Sequence, residues 1–214
     1  MSSVLSIDVG IKNMAVCIRN KETNDLCLLL LDIHHGWCLF SMNSKITCTS
    51  THQCTKQLKN KQCGMIINTI IEKESGTVMC HKHASKKTKI TYQKMMENTV
   101  EIFAKLINDP QISEVVIEHQ RKNNKTKMLA TCISTIALVY HKPVRMIEPM
   151  DKFKSFMTIT KREFKDMGYT RRKKMADETF AKNLGPKFSE IKSQCKTLKI
   201  KTNDLADAYL QSFS

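Results

Sequence analysis

Two apolar runs in this chain stop on an acid. Val4-Leu5-Ser6-Ile7 ends at Asp8, and Val115-Val116-Ile117 ends at Glu118. A carboxylate flanked by Ile7 and Val9 is costly to bury unless it is paired or binds a cation. Both runs are strand-sized, so any fold must carry two strands that terminate in negative charge. Asp204 and Asp207 lie three apart on a predicted final helix and share one face. Singly, each acid has an ordinary explanation. Asp8 reads as a turn residue, Glu118 as a partner for Arg121, and Asp204 as a first-turn helix acid favoured by the macrodipole. Jointly, they read as four carboxylates at element ends that can converge. Clustered acids repel one another, and oxygen-rich sites suit Mg²⁺ or Mn²⁺. Two such ions, roughly 3.5–4 Å apart, clamp the attacking and leaving oxygens in phosphodiester hydrolysis.

The order of elements narrows the architecture. Val4 to Ile7 and Met14 to Ile18 are short strands joined by a tight turn, and Leu26 to Ile33 is a third strand, apolar enough to be buried on both faces. Helical spacing begins at Thr91 and runs through Met95, Phe103 and Ile107 to Asp109-Pro110. Glu114 to Glu118 is a strand, Met128 to Tyr140 an apolar helix, and Pro143 to Ile147 a further strand. A helix from Arg171 is closed by Asn183-Leu184-Gly185-Pro186, and Thr202-Asn203 reads as the N-cap of a last helix, Asp204 to Phe213. Three meander strands followed by strand–helix alternation predict an α/β fold, with a mixed five-stranded sheet and flanking helices.

The chain has 214 residues and a formal net charge of +15. The excess is concentrated: 21 basic and 7 acidic residues lie between Arg121 and Lys201. A basic surplus held in one segment points to a polyanion, most simply nucleic acid. No apolar run approaches the ~20 residues of a membrane span, and no secretory signal is visible, so an intracellular protein without membrane contact is expected.

Nine cysteines in such a chain do not read as a disulfide framework. From about His34 to Lys89 periodicity degrades, and 48–89 reads as an insertion organised by something other than an apolar core, within a domain of 1–47 and 90–214. Cys54 and Cys63 are separated by eight residues, Cys80 and His83 by two, with sixteen between the pairs. These four are assigned as ligands of one structural Zn²⁺, with Cys48, His52 and His81 as substitutes. Lys56, Lys59 and Lys61 suit a knuckle facing a phosphate backbone. Four unlinked thiols in a loop are the plainer alternative.

Four motifs carry a family resemblance. Ser6-Ile7-Asp8-Val9-Gly10-Ile11-Lys12-Asn13-Met14-Ala15 resembles the first motif of RuvC-like Holliday junction resolvases, in the branch found in poxviruses and other large cytoplasmic DNA viruses. Val116-Ile117-Glu118-His119-Gln120 resembles the second motif, Tyr169 to Ala176 the basic helix, and Lys201 to Ala208 the closing motif. The resemblance implies an RNase H-like fold, with two metal ions held by Asp8, Glu118, Asp204 and Asp207. It also implies a homodimer acting on a four-way DNA junction in viral recombination or replication, in the host-cell cytoplasm. Lys122, Lys125, Lys127, Arg171, Arg172, Lys173 and Lys174 are the expected phosphate contacts. The helix Met128 to Tyr140 is a candidate for the dimer interface or, equally, for core. Two other readings stand beside this one. A zinc-dependent nucleic-acid-binding module would need neither Asp8 nor Glu118. Actin-like ATPases and sugar kinases share the Asp-Val-Gly phosphate motif but need a second similar domain.

Overall fold

The computed structural model describes residues 2–42, 50–53, 66–69, 91–120, 123–198 and 200–214. Strand β1 (Ser3–Asp8) pairs antiparallel with β2 (Met14–Asn20), and β2 with β3 (Leu26–Asp32). The turn between β1 and β2 is tight. A Cβ on Gly10 would stand 2.4 Å from the Asn13 carbonyl oxygen, so only glycine lets the chain close there. Helix α1 (Tyr92–Ile107) is capped by Thr91, whose hydroxyl accepts from the Lys94 amide at 3.2 Å. Strand β7 (Ile112–Glu118) then lies parallel to β1, and helix α2 (Asn124–Val139) leads to β8 (Val144–Ile147), parallel to β7.

The sheet is wider than the five strands expected. A fourth meander strand, β4 (Trp37–Met42), pairs with β3 through a turn in which Gly36 has φ 69°. Its flanks, His34-His35-Gly36 and a Ser-Met-Asn-Ser run, hid it in the sequence. Beyond it lie β5 (Ser50–Gln53) and β6 (Ile66–Thr69), giving the order β5-β6-β4-β3-β2-β1-β7-β8. Within it, β3-β2-β1-β7-β8, antiparallel and then parallel, is the mixed core of an RNase H-like α/β fold.

Both faces of this core are covered, which explains why β3 is apolar throughout. Leu29 and Leu31 face α1 and α2, packing with Ile102, Phe103, Leu129 and Ile133. Leu28 and Leu30 face the other way, against Phe153, Phe180, Leu205 and Tyr209. Alternate residues of one strand thus serve two cores. Each such side chain contributes roughly 1.5–3 kcal/mol on burial. The second core is built from a 3₁₀ turn (Asp151–Phe153) and helices α3 (Lys161–Asp166), α4 (Tyr169–Leu184), α5 (Pro186–Leu198) and α6 (Thr202–Gln211). Gly185 does close α4, at φ 55°, and Pro186 then opens α5 rather than a loop.

Candidate active site

The register of the parallel pair does the first work. Ile7 lies opposite Ile117, so Asp8 and Glu118, the next residues on each strand, leave the sheet side by side at its carboxyl edge. Helix α6 is packed across β1 and β2 on the second core. It is pinned there by Ser6, fully buried in β1, whose hydroxyl donates to the Ala208 carbonyl at 2.6 Å. That pin brings Asp204 and Asp207 to the same edge.

Two lysines join three of the four carboxylates into one network. The Lys152 ammonium lies 2.6 Å from Glu118 Oε2 and 2.9 Å from Asp207 Oδ1. The Lys173 ammonium hydrogen-bonds Asp207 Oδ2 and stands 3.6 Å from Asp204 Oδ1. The Gln211 amide, fully buried at the last turn of α6, donates to Glu118 Oε2 at 3.3 Å. Both lysines are held charged. Burial works against each ammonium and is outweighed, for Lys152 by Asp207, Glu118 and Asp8, and for Lys173 by Asp207, Asp8 and Asp204.

Asp8 is the acid left over. Among the described residues none hydrogen-bonds its carboxylate or pairs with it at contact distance. Burial, with repulsion from Asp207 and Glu118, pushes it up to about 8 against the opposing pull of Lys152 and Lys173. Burial also raises Asp204. Four carboxylates thus face two ammonium groups, and Asp8 is the one that neither ammonium reaches at contact distance. Among the described residues no three potential ligands already stand close enough to hold one ion. The donor chemistry nevertheless fits a hard divalent cation. Every acid offers only oxygen, and added positive charge would relieve the strain on Asp8.

Sequence reasoning named the four acids and missed their partners. Lys152 sits in a lysine-rich stretch and carries no mark that distinguishes it from Lys154, yet it is 7% exposed. Lys173 was expected to meet phosphate and is placed among the acids. The Thr202-Asn203 pair does not cap α6. Its N-cap is Lys201, without a side-chain cap, and both polar side chains reach across to Asp177 on α4.

Of the remaining expected phosphate contacts, Lys125 and Lys127 are exposed on the first turn of α2, which starts from the same sheet edge. Arg171 and Lys174 are exposed on α4, and Arg172 lies over the Phe164 ring, 5.0 Å from its centroid. Lys122 lies outside the described residues, as do the zinc candidates Cys54, Cys63, Cys80 and His83 and the substitutes Cys48 and His81. The side chain of His52 is likewise outside them. Along α2, Leu129, Ile133 and Ala137 are core, while Met128, Leu138 and Val139 are 48%, 63% and 67% exposed. No helix among the described residues is long and apolar enough to cross a membrane.

No protein-family model and no curated protein matches the sequence. Solved structures do. Thermus thermophilus RuvC is similar at 13% identity, with 98% of this chain and 90% of that chain covered and a TM-score of 0.46. The same protein in complex with a Holliday junction substrate is similar at 11% identity, over 99% and 90% of the two chains, with a TM-score of 0.45. The yeast mitochondrial Holliday junction resolvase Ydc2 is similar at 12% identity, over 99% of this chain and 77% of that one, with a TM-score of 0.47.

Proposed function

We propose that this chain is a divalent-metal-dependent endonuclease that resolves four-way DNA junctions. The observation that carries the reading is the convergence of Asp8, Glu118, Asp204 and Asp207 on one sheet edge, beside a basic rim. These four acids would hold two Mg²⁺ or Mn²⁺ ions, which when bound supply the charge that stabilises phosphodiester hydrolysis. The chain's own part is positional. Ser6 and Gln211 fix α6 and Glu118, and Lys152 and Lys173 hold Glu118, Asp204 and Asp207 close together. The exposed Lys125, Lys127, Arg171 and Lys174 offset the repulsion between an acidic site and a phosphate backbone. The N-terminus of α2, with its two lysines, is also a natural phosphate seat.

On its motif spelling we read the chain as a resolvase of the kind found in large cytoplasmic DNA viruses, which would act in the host-cell cytoplasm during viral recombination or replication. The partner is a second copy of the chain. A junction has near two-fold symmetry, so two paired sites make two symmetric cuts. The exposed apolar side chains of α2 supply a contact face. Cleavage of a synthetic four-way junction, beside a linear duplex of the same sequence and with and without Mg²⁺, tests the reading. Metal-dependent cutting of the junction alone is expected. Equal cutting of both DNAs, or none of either, overturns it.

Junction binding is expected to weaken steeply with salt, because each neutralised phosphate releases counterions with a slope near −0.9 per contact in B-form DNA. Changing Arg171 and Lys174 to Ala should reduce that slope by about 2. A slope unchanged by the double substitution would remove this face of α4 from the DNA.

The insertion is read as a zinc module, with Cys54, Cys63, Cys80 and His83 as ligands. One zinc per chain, retained through dialysis that removes Mg²⁺, is the expected elemental analysis, since thiolates prefer the softer ion. A site closed by four protein ligands leaves no open position for water, so it is structural. Cys80→Ser should therefore lower thermal stability without changing the carboxylate chemistry. Zinc-free protein of full stability would return these residues to ordinary thiols.

A further inference from the structure

We propose that Asp177 of α4 is a positioning residue, whose carboxylate sets where Asp204 and Asp207 stand by holding the first turn of α6 from outside the helix. The inference rests on the nuclease reading above. Asn203 Nδ2 donates to Asp177 Oδ2 at 2.6 Å, and Thr202 Oγ1 donates to Oδ1 at 3.3 Å, so both oxygens of one carboxylate are engaged by consecutive residues of α6. These are the residues that would ordinarily turn back to cap their own helix. Here the N-cap is Lys201 with no side-chain cap, and the start of α6 is anchored on α4 instead.

The placement of Asp177 gives the anchor its consequence. It lies one turn along α4 from Lys173, on the same face. Lys173 holds Asp204 and Asp207, while Asp177 holds Thr202 and Asn203 immediately before them. Helix α4 therefore grips α6 at two points, and Ser6 grips it at a third through the Ala208 carbonyl. Without Asp177 the lysine contact and the Ser6 pin remain, but the first turn is free to pivot about them, carrying Asp204 with it. The acid is not a neutral filler. It is half-buried and repelled by Asp207, and the hydrogen bonds it accepts from Thr202 and Asn203, with the charge of Lys173, offset that cost.

The test uses the full chain, with Mn²⁺ binding followed by electron paramagnetic resonance in the absence of DNA, and junction cutting as a second readout. Asp177→Ala is expected to weaken Mn²⁺ binding and lower kcat by about 10–100-fold, the range typical of residues that orient metal ligands, with junction Kd unchanged. Asp177→Asn keeps an acceptor and should restore most of both. Asn203→Ala removes the shorter of the two bonds and should reproduce most of the loss, and the Asp177→Ala/Asn203→Ala double variant should lose no more than Asp177→Ala alone, in which the Asn203 bond is already gone. Should Asp177→Ala fail to fold, Asp177→Asn and Asn203→Ala carry the test alone. A lower melting temperature with Mn²⁺ affinity and kcat at wild-type values would make the contact merely structural and overturn the inference. Asp177→Asn as defective as Asp177→Ala would do the same, by making charge the cause. Wild-type chain that neither binds Mn²⁺ nor cuts junctions sinks the nuclease reading and this inference together. Wild-type chain that does both, with Asp177→Ala equal to it, sinks this inference alone.

Discussion

Asp207→Asn is expected to abolish junction cutting, by on the order of 10³-fold or more, while junction binding stays intact or tightens. Asp207 is the hub of the acidic network: it is 4% exposed and touches both Lys152 and Lys173. The amide has nearly the same shape, so the loss is one of charge. The charge removed is one that would hold the cation, and losing one electrostatic contact to the reacting group costs up to about 10³-fold in comparable sites. Binding follows the opposite trend, since a less negative site repels phosphate less. Asp8→Asn and Glu118→Gln should behave alike in cutting. Asp8→Asn adds a signature in stability. In the folded chain Asp8 is held up to about 8, against 3.8 for an ordinary aspartate. The folded state therefore binds the extra proton, and stability contributed below the lower value is lost as pH rises through about 8. In Asp8→Asn that decline should flatten, which melting curves without divalent ions between about pH 4 and pH 9 would show. Full cutting activity in all three variants would end the two-metal reading.

What could be read from sequence was what sequence spells locally. A strand that stops on an acid is visible in six residues, and both Asp8 and Glu118 stand where that pattern placed them. The same-face spacing of Asp204 and Asp207 survived because the helix it assumes is there. The misses share a different cause. Lys152 becomes special only when a 3₁₀ turn folds it under α6, an event separated by more than thirty residues from Glu118 and by more than fifty from Asp207. In one dimension it is another lysine among lysines. Thr202-Asn203 has the chemistry of a cap, and the same hydroxyl and amide serve equally well to bind a carboxylate on another helix. Strand β4 was lost for a third reason. Its apolar positions are interrupted by Ser41 and bounded by histidines and Gly36, so its pairing with β3, rather than its own pattern, makes it a strand.

Lys152→Met should cost about 3–5 kcal/mol in metal-free buffer, the range for removing one partner from a buried ion pair. Methionine fills much of the same volume, so packing beside Phe153 is largely kept and the charge alone is removed. Glu118 loses a 2.6 Å partner, Asp207 loses one of its two, and Asp8 loses one of the two cations that hold its value down. For a chain of this size each kcal/mol moves the melting temperature by roughly 2–4 °C, so a fall of about 6–20 °C is expected. Lys154→Met is the control. That ammonium pairs with Asp151 on an exposed surface, and its loss should cost less than about 1 kcal/mol. The sharper observation comes from titrating Mg²⁺ into both proteins. The carboxylates that lose their ammonium in Lys152→Met are the candidate ligands for the cation, and a ligand that binds only the folded state stabilises it by RT ln(1 + [L]/Kd). Mg²⁺ should therefore raise the melting temperature of Lys152→Met by more than it raises that of the wild type, because the cation no longer competes with a lysine for Asp207. If Mg²⁺ stabilises the two proteins equally, the lysine and the metal do not share the same oxygens, and the acidic cluster is a structural network rather than a cation site.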